Sequence, residues 1–405
     1  MSDLSLTKAR WTTVAFGDVV RQVKDKVDPE ESGLERYIGG EHMDTDCLRI
    51  RRWGEIGDDY LGPAFHMRFK PGHVLYGSRR TYLRKVALAE FEGITANTTF
   101  VLESKDPETL LPELLPFIMQ SESFHAHSKR ESKGSVNPYV NFSDLAWYKF
   151  ALPPISEQRQ IAEVLQAAEA YQNSLYCVLQ SAISTRDSLV EQRMRGLDTG
   201  KLAQHERVGH YRGDWPLAPL GDLLTSVQYG LSDSLNSSGR YPVLRMMNLE
   251  DGKATADDLK YLDLSDSEFE TYRLVSGDVL FNRTNSYELV GRTGIYDLRG
   301  DHVFASYLVR LKTKMDYLLP EYLGAFLRAP IGRRQVMSFA TRGVSQTNVN
   351  AANLKRILIP IPPIDYQKEV VGMIGAIEGA QREIKTRLHE TGSLAAKIIN
   401  GGLAI

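Results

Sequence analysis

The 405-residue chain carries 49 Lys and Arg against 51 Asp and Glu, a formal charge of −2, with 42% hydrophobic and 25% charged residues. That is ordinary globular composition, long enough for two or three domains with a core each. Only Cys47 and Cys177 are present, which excludes a disulfide framework. With no apolar run of signal-peptide or membrane-span length, a reducing cytoplasm is the expected location.

In chain order, Phe16-Gly17-Asp18-Val19 is followed by apolar runs at His73–Tyr76 and Thr99–Leu102, which read as strands bounded by Gly and turn residues. His66 to Lys85 holds Arg68, Lys70, Arg79, Arg80, Arg84 and Lys85 without one Asp or Glu. Pro107–Gln120 spaces its apolar residues for a helix. His125 and His127, two apart and not at metal-pair spacing, are expected on an exposed helix end. Leu152-Pro153-Pro154-Ile155-Ser156-Glu157-Gln158-Arg159 then leads, with a cap expected at Ser156, into a long helix stopped by Gly196. Its seam is read as Ile161, Val164, Ala168, Tyr171, Leu175, Val178 and Ala182. Lys201 to Asp214 reads as a polar linker.

The second half repeats the first. Leu220-Gly221-Asp222-Leu223 matches Phe16–Val19, and Val275–Phe281 matches Lys70–Tyr76. Leu319-Pro320-Glu321 matches Leu111-Pro112-Glu113, and Ile361-Pro362-Pro363-Ile364-Asp365-Tyr366-Gln367-Lys368 matches Leu152–Arg159. Strands are expected at Asp278–Phe281 and Val303–Leu311, and a helix over Leu319–Phe339. Tyr322 to Ile364 is again free of acids and holds Arg328, Arg333, Arg334, Arg342, Lys355 and Arg356. Two basic stretches inside a balanced total are the footprint a polyanion partner needs. A second long helix, capped at Asp365 and stopped at Gly401, places Val370, Met373, Ile377, Ala380 and Ile384 on its seam. Narrow 3-4 seams call for a partner helix, so the two are expected to pair antiparallel as a coiled coil, with pseudo-two-fold symmetry. The class is α+β: mixed domains at 1–153 and 215–362, helices at 154–196 and 363–405, and a linker at 197–214. A chain ending at Pro363 is expected to keep two folded mixed domains.

Mixed domain, Pro-Pro, long helix, given twice, resembles the specificity subunits of type I restriction–modification systems. The Leu152–Ala162 and Ile361–Val371 segments look like that family's boundaries between target-recognition domain and helix. The resemblance implies a non-catalytic subunit in which each target-recognition domain reads half of a bipartite DNA site and the helices set the gap. It also implies two methyltransferase subunits and two restriction subunits as partners. No cofactor or metal is implied for this chain; the partners bring S-adenosylmethionine, ATP and magnesium.

DNA contacts are expected on two loops per half. The first loop includes Ser78, Arg79, Arg80 and Tyr82, matched by Arg283, Asn285 and Tyr287. The second includes Lys133, Ser135, Asn137 and Tyr139, matched by Arg342, Ser345, Gln346 and Asn348. Arg68, Lys70, Arg84, Lys85, Arg245, Asn248 and Arg292 complete the expected set. Arg and Asn pair with base edges, while Ser, Thr and Tyr suit phosphates.

Several catalytic look-alikes fail. Asn137-Pro138-Tyr139 lacks the second Pro of an adenine methyltransferase loop. Gly196–Lys201 is one residue short of a phosphate-binding loop. Asp258-Leu259-Lys260 has no metal-ligand pattern upstream. The rivals are a self-contained DNA-modifying enzyme and a coiled-coil scaffold that binds no DNA.

Overall fold

In the strand Val74–Gly77, Val74 and Tyr76 point to one face and Leu75 to the other, and all three are buried. A strand buried on both faces needs a layer on each side. The computed structural model, which describes residues 10–58, 61–198, 200–343 and 346–403, supplies both. The chain divides into two compact units, residues 1–176 with 386–405, and residues 177–385.

In the first unit, Val74–Gly77 lies between Thr99–Ser104 and Val86–Leu88, and Val20–Val23 extends this antiparallel sheet. Leu75, Ala87 and Val101 face a second sheet through Ile38, Met67 and Phe69. That sheet orders Gly54–Glu55, Arg36–Ile38, Gly93–Ala96 and Phe65–Phe69. The opposite face packs Val74, Tyr76 and Leu102 against Leu114, Ile118 and Phe124, and against Ile161 and Leu165 of the long helix Ile155–Arg195. Thr12–Ala15 pairs antiparallel with Lys149–Leu152, so the mixed portion begins and ends side by side.

The second unit repeats this logic. Val279 and Phe281 face Leu323 and Phe326 of the helix Pro320–Arg328, while Leu280 faces Leu244, Phe304 and Leu308. Leu217–Pro219 pairs with Leu358–Pro360. The strand expected over Val303–Leu311 is two, Val303–Phe304 and Leu308–Thr313. The helix expected over Leu319–Phe339 is also two, because Pro330 cannot continue the first and starts Pro330–Ser338. Of Pro107–Gln120, only Pro112–Leu114, a tight turn, and Leu115–Met119 are helical. The segment read as a linker is a hairpin, Leu202–His205 with Gly209–Arg212, pinned by buried Val208.

The helix Ile155–Arg195 ends at Gly196, whose φ of +63° is the left-handed stop expected. The second long helix, Ile364–Leu403, runs through Gly401. Both begin one residue before Ser156 and Asp365, which lie in the first turn and not at the cap. The helices belong to the unit cores. Ile161, Leu165 and Ile399 share the first, and Val190, Met194, Val370 and Ile374 share the second. A chain ending at Pro363 would therefore strip apolar side chains from both cores, and the mixed domains are not independent of the helices.

The helix seam is corrected by one residue. Val164, Tyr171 and Val178 are 40, 46 and 52% exposed, whereas Leu165 and Leu179 are buried and Gln172 is half-buried. The inward track runs 161, 165, 168, 172, 175, 179, alternating steps of four and three in the opposite order to that expected. Ala380 is likewise exposed and Gln381 buried, on a track through Val370, Ile374, Ile377 and Ile384. Met373 is half-buried beside it. A polar Gln sits on each inward track, where a seam read from apolar residues steps aside.

The repeated boundary motif has a structural reason. Gln158 is 1% exposed, accepts from the Leu111 amide at 2.8 Å and donates to the carbonyls of Thr109 and Pro153 at 2.9 Å each. Gln367, 0% exposed, makes the same three bonds, to Leu319 at 2.9 Å, Tyr317 at 2.8 Å and Pro362 at 2.9 Å. One amide thus ties the helix start to the Pro-Pro turn and to the loop entering the preceding helical segment.

Candidate nucleic-acid interface

In each unit, two loops far apart in sequence meet at the end of one buried strand. After Val74–Gly77, the Ser78 amide and hydroxyl both donate to the Thr98 carbonyl, at 3.0 and 2.7 Å. The Ser78 carbonyl accepts from Val140 at 2.9 Å. Arg79 then bridges to Tyr139, and the Arg80 amide donates to the Pro138 carbonyl at 2.5 Å. In the second unit, after Val279–Asn282, the Arg283 carbonyl accepts from Val349 at 2.9 Å, and Thr284–Asn285 pairs with Thr347–Asn348. Thr341–Arg342 adds a third strand.

The second loop of the first unit is closed at its stem. The Lys133 amide donates to the Tyr139 carbonyl at 2.8 Å, and the Tyr139 amide returns to Lys133 at 2.9 Å. Gly134, at φ +89°, makes the turn that a side chain would strain. The Lys133 ammonium sits 2.9 Å from Asp144 and holds that carboxyl below its usual range. Residues 134–137 project outward, all exposed.

The expected contact residues sort by what already engages them. Arg68 pairs with Glu92 at 2.7 Å, and Arg84 pairs with both Asp46 and Glu122 at 2.7 Å. Lys85 donates to the Gly40 carbonyl, and Arg245 pairs with Asp258 at 3.0 Å. The three arginines are wholly or partly neutralised within the fold, and the Lys85 ammonium is engaged by a neutral carbonyl. Ser78 is 5% exposed with its hydroxyl committed. Asn248 is 0% exposed and binds the Arg245 amide and the Asp257 carbonyl, at 2.9 and 2.6 Å. Neither can meet DNA as expected. The second basic stretch is also partly internal, since Arg328 pairs with Glu378 at 2.8 Å and Arg334 pairs with Glu191 at 2.5 Å.

Lys70, Arg79, Arg80, Tyr82, Ser135, Asn137, Tyr139, Tyr287, Arg292, Arg342 and Gln346 are exposed. Among the described residues, no ion pair engages Arg79 or Arg80. Arg80 donates to the Tyr82 hydroxyl at 2.7 Å, and Arg79 lies 6.0 Å from the Tyr139 ring. Arg283 is half-buried over Tyr229, 5.0 Å from the ring centroid, and donates to Asn348 at 3.2 Å. Asn348 in turn donates to Thr284 at 3.0 Å, while Asn285 donates to the Met246 sulfur at 3.4 Å. Arg342 stacks 4.0 Å over Tyr287. Ser345 lies outside the described residues.

Sequence reasoning did not place Tyr229 beside Arg283. Tyr229 sits 54 residues from Arg283, and no local signal links them. His125 and His127, expected exposed, are buried; burial pushes His125 down to about 4, so it stays neutral. Among the described residues no group of three or more His, Cys, Asp or Glu could hold a metal, and no helix is long and apolar enough to cross a membrane.

Comparison with known proteins agrees with this duplicated plan. The specificity subunit of the type I restriction enzyme EcoKI of Escherichia coli K12 is 25% identical over 309 residues, 72% of this chain and 66% of that protein. The putative MjaX specificity subunit of Methanocaldococcus jannaschii is 29% identical over 170 residues, 41% of this chain and 40% of that protein. These matches span less than two thirds of either relative. The crystal structure of the type I restriction–modification S subunit from M. genitalium shares the fold, with a TM-score of 0.57 at 12% identity over 96% of this chain and 95% of that one. The family model described as the type I restriction modification DNA specificity domain matches twice, over residues 10–176 and 213–391. With both halves matched, the chain belongs to the type I restriction–modification DNA specificity domain family.

Proposed function

We propose that the chain is the non-catalytic DNA-recognition subunit of a type I restriction–modification complex. Each unit reads one half of a bipartite site through its paired loops. The observation that carries this is the repeated juxtaposition. Ser78 receives Val140 and Arg283 receives Val349 by the same backbone bond, and each pair gathers exposed Arg, Tyr and amide side chains at one strand end. Rigid strand ends carrying polar loops suit base reading better than isolated turns do.

The long helices fit an antiparallel coiled coil with pseudo-two-fold symmetry, which would set the gap between half-sites. The start of the first helix shares a core with the end of the second, and the end of the first with the start of the second. Two methyltransferase subunits, and two restriction subunits in the full complex, are the proposed partners. They would bring S-adenosylmethionine, ATP and magnesium.

Binding by the chain together with its methyltransferase partner tests this reading. Arg79→Ala, Arg80→Ala and Arg283→Ala should each weaken binding. A lost phosphate contact weakens all sequences alike and lowers the salt slope by about 1. A lost bidentate base contact costs about 1–3 kcal/mol and relaxes one position. Arg84→Ala, whose cation is already paired, should leave the salt slope unchanged. Wild-type affinity and slope in all three variants would move the DNA surface elsewhere.

A further inference from the structure

We infer that Val136 reads the 5-methyl group of one thymine, an assignment that rests on the DNA-reading role proposed above. Val136 is 86% exposed. Single exposed apolar residues are common, so exposure alone decides nothing. Its mounting decides more. The two-way Lys133–Tyr139 bridge closes the loop, the Lys133–Asp144 ion pair braces it, and the Arg80 amide ties Pro138 to the first loop. The valine is therefore presented at the tip of a fixed hairpin-like projection.

Its neighbours limit what it can meet. Ser135 and Asn137 on either side are exposed hydrogen-bonding groups, and Arg79 and Arg80 beside the stem carry charge that no acid in the described residues neutralises. That surface suits a polyanion with polar edges, and a valine can neither donate nor accept. On a major-groove floor the one apolar group is the thymine methyl. Val136 belongs to the first half of the duplication alone, so the contact it makes is expected in the half-site that the first unit reads.

The test uses the complex with its methyltransferase partner and the target mapped in the host. Each thymine is replaced in turn by deoxyuridine, which lacks the methyl but keeps every hydrogen-bonding group. One replacement, in one half-site, should weaken wild-type binding about four-fold, the worth of one buried methyl. Val136→Ala and Val136→Ser should bind the thymine and uracil forms of that site equally. The inference is overturned if no replacement changes wild-type affinity, if Val136→Ala keeps the full discrimination, or if neither half-site contains an A·T pair. Loss of all sequence preference by the wild-type complex would instead overturn the DNA-reading role itself.

Discussion

Gln158→Ala is expected to lower the stability of the first unit by roughly 3–5 kcal/mol, and Gln367→Ala that of the second by a similar amount. Truncating Gln158 orphans the Leu111 amide and the Thr109 and Pro153 carbonyls at a site 1% exposed. Each orphaned buried group costs about 1–3 kcal/mol, less whatever relaxation or an entering water restores. In a unit of about 200 residues, each kcal/mol moves the midpoint by about 2–4 °C, so a fall near 10 °C is expected by calorimetry. Gln158→Glu adds a pH signature. It keeps the acceptor for Leu111 but turns an anionic oxygen toward two carbonyls, which raises the folded-state pKa above the ordinary value of about 4.3. The unfolded chain then holds fewer protons between those two values, so stability falls as pH rises through that window and recovers below it. A midpoint within a degree or two of wild type for Gln158→Ala would remove the structural explanation of the repeated motif.

Lengthening both long helices by one heptad should widen the gap between half-sites by about three base pairs. The insertions belong after Tyr176 and after Lys385, where the chain passes from one unit to the other, so neither core is touched. Seven residues keep the inward track on its face. Each helix gains ~10.5 Å at about 1.5 Å per residue, against ~3.4 Å per base pair of DNA. Methylation at sites of the original spacing should fall to background, and sites with the wider gap should replace them. Tilt of the helices to the DNA axis, or bending of the DNA, reduces the change. An assembled variant that still used the original spacing would show that the helices do not set the distance.

The duplication, the strand–helix order and the boundary motif were legible because each is a local pattern. Leu152–Arg159 recurs as Ile361–Lys368 whatever the chain does in space. The role of Gln158 inside that motif was not legible, since two of its three partners, Thr109 and Leu111, lie more than 40 residues upstream. The helix seam was missed for a related reason. Steps of three and four fit two interleaved tracks, and Gln172 and Gln381 on the inward one made Tyr171 and Ala380 look the better choice. Charge misled in the same way. His66–Lys85 is acid-free along the chain, yet Arg68 and Arg84 find Glu92, Asp46 and Glu122 in the fold. The loops were legible as segments, and the structure brings the two of each half together, but the surroundings of their residues were not. Turn chemistry marks where a chain leaves a strand, but burial of Ser78 and Asn248 depends on neighbours the sequence does not adjoin.

Two separate DNA readers on one chain is the central claim, and replacing one reader tests it most directly. The segment Gly221–Lys355 is a natural unit of exchange, because the Gly221 amide donates to the Lys355 carbonyl at 2.9 Å and so brings its ends together. The replacement would carry the corresponding segment of a related specificity subunit, leaving both long helices and the first unit intact. Base-resolution mapping of methylated adenines in cells carrying the hybrid and its methyltransferase partner gives the readout. The expected result is a target in which one half changes while the other half and the spacing stay as they were. A target in which both halves change together, or neither does, would contradict the account.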